Sequence, residues 1–102
     1  MTHIGTFEFS APLWRYPGAD GWHFVSVPAQ ISDDIGDITH HIRRGFGSVR
    51  VAVTVGGTTW RTSILPDRKT GTYVLPMKKA VRTAEHLLTG ADVVAQLEVV
   101  DL

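Results

Sequence analysis

The sequence predicts a mainly β fold with two short helices, in the order β-β-α-β-β-β-α-β. Three observations carry that expectation. A valine ribbon, Val49, Val51, Val53 and Val55, alternates with Arg50, Ala52 and Thr54 and is broken by Gly56 and Gly57. Other short segments alternate in the same way between proline and glycine breaks, and two more carry apolar residues at helical spacing. Period-two alternation buries one face of a strand, whereas a period near 3.6 buries one face of a helix.

In the first strand Phe7, Phe9 and Ala11 alternate with Thr6, Glu8 and Ser10. A loop rich in Pro, Gly and Asp follows, and Trp22 to Val27, stopped by Pro28, makes the second strand. Ile35, Ile38 and Ile42 set a helix over Ser32 to Arg44, with Asp33 and Asp34 early and Arg43 and Arg44 late, the charge order a helix dipole favours. Gly36 works against it, because a glycine inside a helix costs about 1 kcal/mol relative to alanine.

The valine ribbon then turns at its two glycines and returns as Thr58 to Leu65. A two-residue glycine loop suits a primed hairpin turn. It pairs Val55 with Thr58, Val53 with Trp60, Val51 with Thr62 and Val49 with Ile64 on one face, leaving Arg50 beside Ser63 and Ala52 beside Arg61 on the other. A one-residue slip would expose three valines, at about 1.5 to 3 kcal/mol each.

After a loop from Pro66 to Gly71, Thr72 to Leu75 makes a short strand and Pro76 suits the first turn of a second helix. Met77, Val81, Ala84 and Leu88 form its apolar stripe, with Ala80 and Leu87 beside it and Gly90 where a C-terminal cap belongs. Val93, Ala95, Leu97 and Val99 alternate through the last strand.

Composition sets the outer limits. At 102 residues the chain is expected to form a single domain over residues 1–102, without a linker. Ten basic residues balance ten acidic ones, so no whole-molecule field gathers polyanions. With no cysteine there is neither a disulfide nor a thiolate metal ligand, and a reducing, cytoplasmic setting is expected. The opening MTHIGTFEFSAPLW does not read as a signal peptide, and no run approaches the roughly 20 apolar residues of a membrane span.

FEFSAPL, WHFVSVP, GFGSVRVAVTVGGTTWRTSILP and TGTYVLPMKKAVRTAEHLLTGADVVAQLEV, taken together, resemble the family catalogued as domain of unknown function nineteen hundred and five. The most specific part comprises Gly71, Tyr73, Leu75, Pro76, Lys78, Lys79, Arg82, Gly90 and Asp92. The resemblance implies a small double-split β-barrel, similar to AbrB and MazE. It brings no catalytic residues with it. Ala91 departs from the pattern by adding a residue between Gly90 and Asp92.

Few groups suggest chemistry. Asp37 and His41 are i,i+4 neighbours, with Asp33, Asp34 and His40 nearby, but two ligands are too few for zinc and no metal or cofactor is expected. Gly45, Phe46, Gly47 and Ser48 lead into a strand rather than a helix, which makes a turn of them and not a phosphate cradle. No nucleophile elbow or triad spacing occurs, so no catalytic residue is assigned.

Ligand-binding candidates remain. Lys78, Lys79 and Arg82 share a helix face with His86, while Arg50 and Arg61 lie diagonally on the hairpin. Trp22 and Trp60 are expected in the core, and Trp14 and Tyr16 in a loop able to close over a pocket.

Three functions follow as expectations. The first is a non-enzymatic binding or assembly module that self-associates as a homodimer by covering strand edges. The second is AbrB-like nucleic-acid binding through Arg50, Arg61, Lys78, Lys79 and Arg82, and the third a small-molecule binding or enzymatic site beside the Trp14 to Gly21 loop. No membrane partner is expected.

Overall fold

The computed structural model describes residues 2–18, 21–42 and 47–101. In chain order these form β1 (Thr2–Arg15), β2 (His23–Ser26), α1 (Ala29–Thr39), β3 (Val49–Val55), β4 (Thr58–Asp67), β5 (Thr72–Pro76), α2 (Lys79–Ala84) and β6 (Asp92–Asp101). The strands close a barrel in the order β1-β2-β5-β4-β3-β6, every pairing antiparallel. No helix among the described residues is long and apolar enough to cross a membrane.

The barrel closes because its two long strands each serve two sheets. β1 pairs with β6 as far as Pro12 and with β2 from Leu13, while β4 pairs with β3 as far as Ile64 and with β5 from Leu65. Pro12 and Pro66 sit at or next to these transfers, where a missing backbone N–H costs least. Closure removes the open strand edges on which the expectation of edge-to-edge assembly rested, since a barrel pairs its own edges.

The β3–β4 hairpin has the expected register at all seven pairs, from Val49 with Ile64 to Val55 with Thr58. Val53 and Trp60 lie side by side in the buried cluster, with Phe9, Leu13, Val25, Leu75, Leu97 and Val99. Gly56 turns the hairpin at a φ of 57°, the left-handed region glycine tolerates.

The two helices close opposite ends of the barrel. α1 begins at Ala29 behind Pro28 rather than at Ser32, and ends at Thr39 rather than Arg44. Arg43 and Arg44 lie outside the described residues, as do Gly45 and Phe46. Neither an acidic first turn nor a basic last turn marks α1. What fixes its start is Ser32, whose hydroxyl donates to Val27 O at 3.2 Å and accepts from the Tyr73 N–H at 3.0 Å, tying the helix to β5.

α2 is shorter than its stripe predicts. Met77 and Val81 are buried, but Ala84 is exposed and Leu88 is 75% exposed, because His86 turns to a φ of 54° and leads the chain back to the barrel. Pro76 is the last residue of β5, not the first of a helix. Gly90 is no helix cap either; its N–H donates to Leu13 O at 2.8 Å, and the Leu13 N–H donates to Ala91 O at 2.9 Å. The carbonyl of the additional Ala91 thus bonds to β1 just before β6 begins.

Trp22 is the clearest correction. It is 56% exposed, not in the core. Val25 and Val27 point inward from the β2 segment, and alternation then places Trp22 with Phe24 on the outside.

Candidate functional site

Four aromatic rings meet on the outside of the barrel around the β1–β2 turn. Trp14, on β1, is cross-strand partner to Phe24 on β2, and their ring centroids lie 5.1 Å apart. Tyr16 sits 6.4 Å from Trp14 and 6.3 Å from Phe24, edge-on to the latter. Trp22 stacks on Phe24 at 6.0 Å with 12° between planes. The turn is pinned by the Tyr16 N–H donating to Trp22 O at 2.9 Å, so the rings have a fixed base.

This face is built, not frayed. The Trp14 indole N–H donates to Ser26 Oγ at 3.0 Å, which fixes that ring against β2. Tyr16 is 48% exposed, and Trp22 offers the ring side turned away from Phe24. Exposed aromatic surface with one side already stacked is suited to receive a further flat group.

Cations stand at its border. Phe24 is also paired with Pro76 of β5, and the Met77 N–H donates to His23 O at 2.9 Å, so Lys78 and Lys79 emerge directly beside β2. The Arg82 guanidinium donates from Nε to Met77 O at 3.0 Å and reaches Gly21 O at 3.4 Å, bridging α2 to the β1–β2 turn. Trp14, Tyr16, Lys78, Lys79 and Arg82 are therefore brought to one region. Arg50 and Arg61 are not; they are exposed on the outside of the β3–β4 ladder, and no strand pairing or hydrogen bond links them to the rings.

A wide groove lies elsewhere. A groove of about 960 Å³ opens at the opposite end of the barrel, between α1 and the β4–β5 hairpin. The expectation of a pocket beside the Trp14 to Gly21 loop finds no counterpart in that groove, and Ala19 and Asp20 lie outside the described residues. His40 and His41 meet edge-to-face at 5.3 Å, and no three acidic or histidine groups among the described residues converge on a metal position.

Sequence reasoning missed Trp22 and Phe24 as members of the face. The signal was present in the alternation with Val25 and Val27, which fixes their side of the strand.

Residues 9–97, from the middle of β1 to the middle of β6, match the family described as Domain of unknown function (DUF1905). The chain belongs to the DUF1905 family. In this DUF1905 domain the matched span contains the whole aromatic face and all of α2. No curated protein matches the chain.

Proposed function

We propose that this DUF1905 domain is a non-enzymatic binding module that receives single-stranded nucleic acid on its aromatic face. The observation that carries this reading is the contact of Trp14, Tyr16, Phe24 and Trp22 beside Lys78, Lys79 and Arg82. Rings stack on unpaired bases of any sequence, at about 1 to 3 kcal/mol per base, and neighbouring cations hold the phosphates. A duplex, whose bases are already stacked, would leave the rings unused. The separation of Arg50 and Arg61 from α2 also speaks for a strand rather than an AbrB-like duplex footprint.

The test is tryptophan fluorescence on titration with a short oligothymidylate at low ionic strength. Saturable quenching is expected, with affinity lowered about 5- to 150-fold in Trp22→Ala. No quenching at low salt overturns the reading.

A homodimer is the second reading, favoured by two half-exposed aromatic rings on a chain of zero net charge. It would join faces rather than strand edges. Sedimentation distinguishes the two: a dimer that Trp22→Ala converts to monomer assigns the face to self-association and removes the nucleic-acid reading. A cytoplasmic location, suggested by the cysteine-free composition, belongs to the same proposal.

A further inference from the structure

The groove between α1 and the β4–β5 hairpin is a separate matter from the aromatic face, at the other end of the barrel. Its walls include Asp33, Gly36 and Asp37 from α1, His40 just past the end of that helix, and Asp67, Arg68 and Thr72 from the hairpin, with Tyr73 also lining it. At about 960 Å³ it has the size of a small-molecule site.

Three features point to its occupant. Tyr73 is only 6% exposed, yet its hydroxyl has no hydrogen-bond partner among the described residues. No fully enclosed side-chain oxygen lacks a partner, so the hydroxyl keeps an open side, and the groove is the opening Tyr73 lines. The hydroxyl at the end of this buried ring is thus free to bond a ligand in place of water.

Second, the carboxylates differ in their employment. Asp67 is committed to its own turn, accepting from the Lys69 N–H at 3.4 Å and from Thr70 Oγ1 at 2.9 Å. Asp33 and Asp37, one helical turn apart on α1, have side chains without a partner among the described residues. Among the described lining residues the carboxylates Asp33, Asp37 and Asp67 outnumber the one cation, Arg68. Among the described residues no three such groups converge to chelate a metal, so the spread suits a cation with several hydrogen-bond donors.

Third, Gly36 lies in the groove wall in mid-helix. A Cβ there would meet nothing within 4 Å, and its φ is not positive, so neither packing nor backbone geometry requires glycine. The helix gives up stability at that position and the groove gains width.

We infer that this groove binds a small organic cation, an amine or guanidinium compound, held by Asp33 and Asp37 with the Tyr73 hydroxyl as acceptor. The probe is agmatine, followed by amide chemical shifts of the whole chain. Saturable shifts are expected at Gly36, Gly71, Thr72 and Tyr73. Asp33→Asn with Asp37→Asn should abolish them, and Tyr73→Phe should weaken binding about tenfold.

Gly36→Ala keeps the test independent of folding damage: it should raise the urea midpoint while weakening agmatine binding. Binding undiminished in both Gly36→Ala and the double asparagine variant overturns the inference. So does equal binding of a carboxylate of matching size, which would assign the groove to Arg68. Loss of oligothymidylate binding at the aromatic face leaves these outcomes unaffected.

Discussion

Ser32 joins α1 to β5 through a single hydroxyl, which donates to Val27 O and accepts from the Tyr73 N–H. Removing it leaves a buried amide without a partner, at about 1 to 3 kcal/mol. Ser32→Ala is therefore expected to lower the urea midpoint with an unchanged slope, and a loss well under 1 kcal/mol would show that water replaces the hydroxyl. Trp22 should behave in the opposite way. Its truncation to alanine removes an exposed ring and is expected to change stability by no more than about 0.5 kcal/mol, so any loss of binding is not a loss of fold.

Among the elements, the β3–β4 hairpin is the most dependent on one backbone angle. Gly56 holds a φ of 57°, and a Cβ there would overlap the Glu85 carboxylate, which accepts from Thr58 Oγ1 at 2.6 Å. Gly56→Ala adds left-handed strain of about 1 to 2 kcal/mol to the loss of that bond. Thermal unfolding should show the drop, and an unchanged midpoint would mean the turn simply re-forms. Gly36→Ala is expected to move the other way, by about 0.5 to 1 kcal/mol.

This hairpin was also the most legible part of the chain, because alternation and turn chemistry specify one register. The helices were less so. α1 is positioned by a serine bonding across to Tyr73, a partner distant in sequence, and charge order gives no hint of it. α2 is cut short by the return to Leu13, again a tertiary requirement. Of the site, Trp14, Tyr16, Lys78, Lys79 and Arg82 were recognisable as residue types, but their meeting depends on β2 lying between β1 and β5, which no local pattern encodes.

Across the whole molecule, zero net charge conceals a separation. Among the described residues, Arg15, Lys78, Lys79 and Arg82 outnumber Glu85 and Asp92 at the α2 end, while Asp33, Asp34, Asp37 and Asp67 outnumber Arg68 and Lys69 at the α1 end. Local fields steer ligands even where the total vanishes. Oligothymidylate affinity is expected to fall with salt, with a log–log slope of about −0.7 per phosphate engaged. A salt-independent affinity would mean that stacking alone holds the strand.

The β1–β6 ladder sets Thr2 opposite Asp101, so the first and last strands are neighbours. During synthesis the barrel must stay unsealed until its final strand leaves the ribosome, and loop-closure entropy makes that closing step late and slow. Val49→Ala, in the local hairpin, should slow refolding, whereas Val93→Ala, in the closing ladder, should mainly hasten unfolding. Equal slowing by both would place the seam in the folding nucleus.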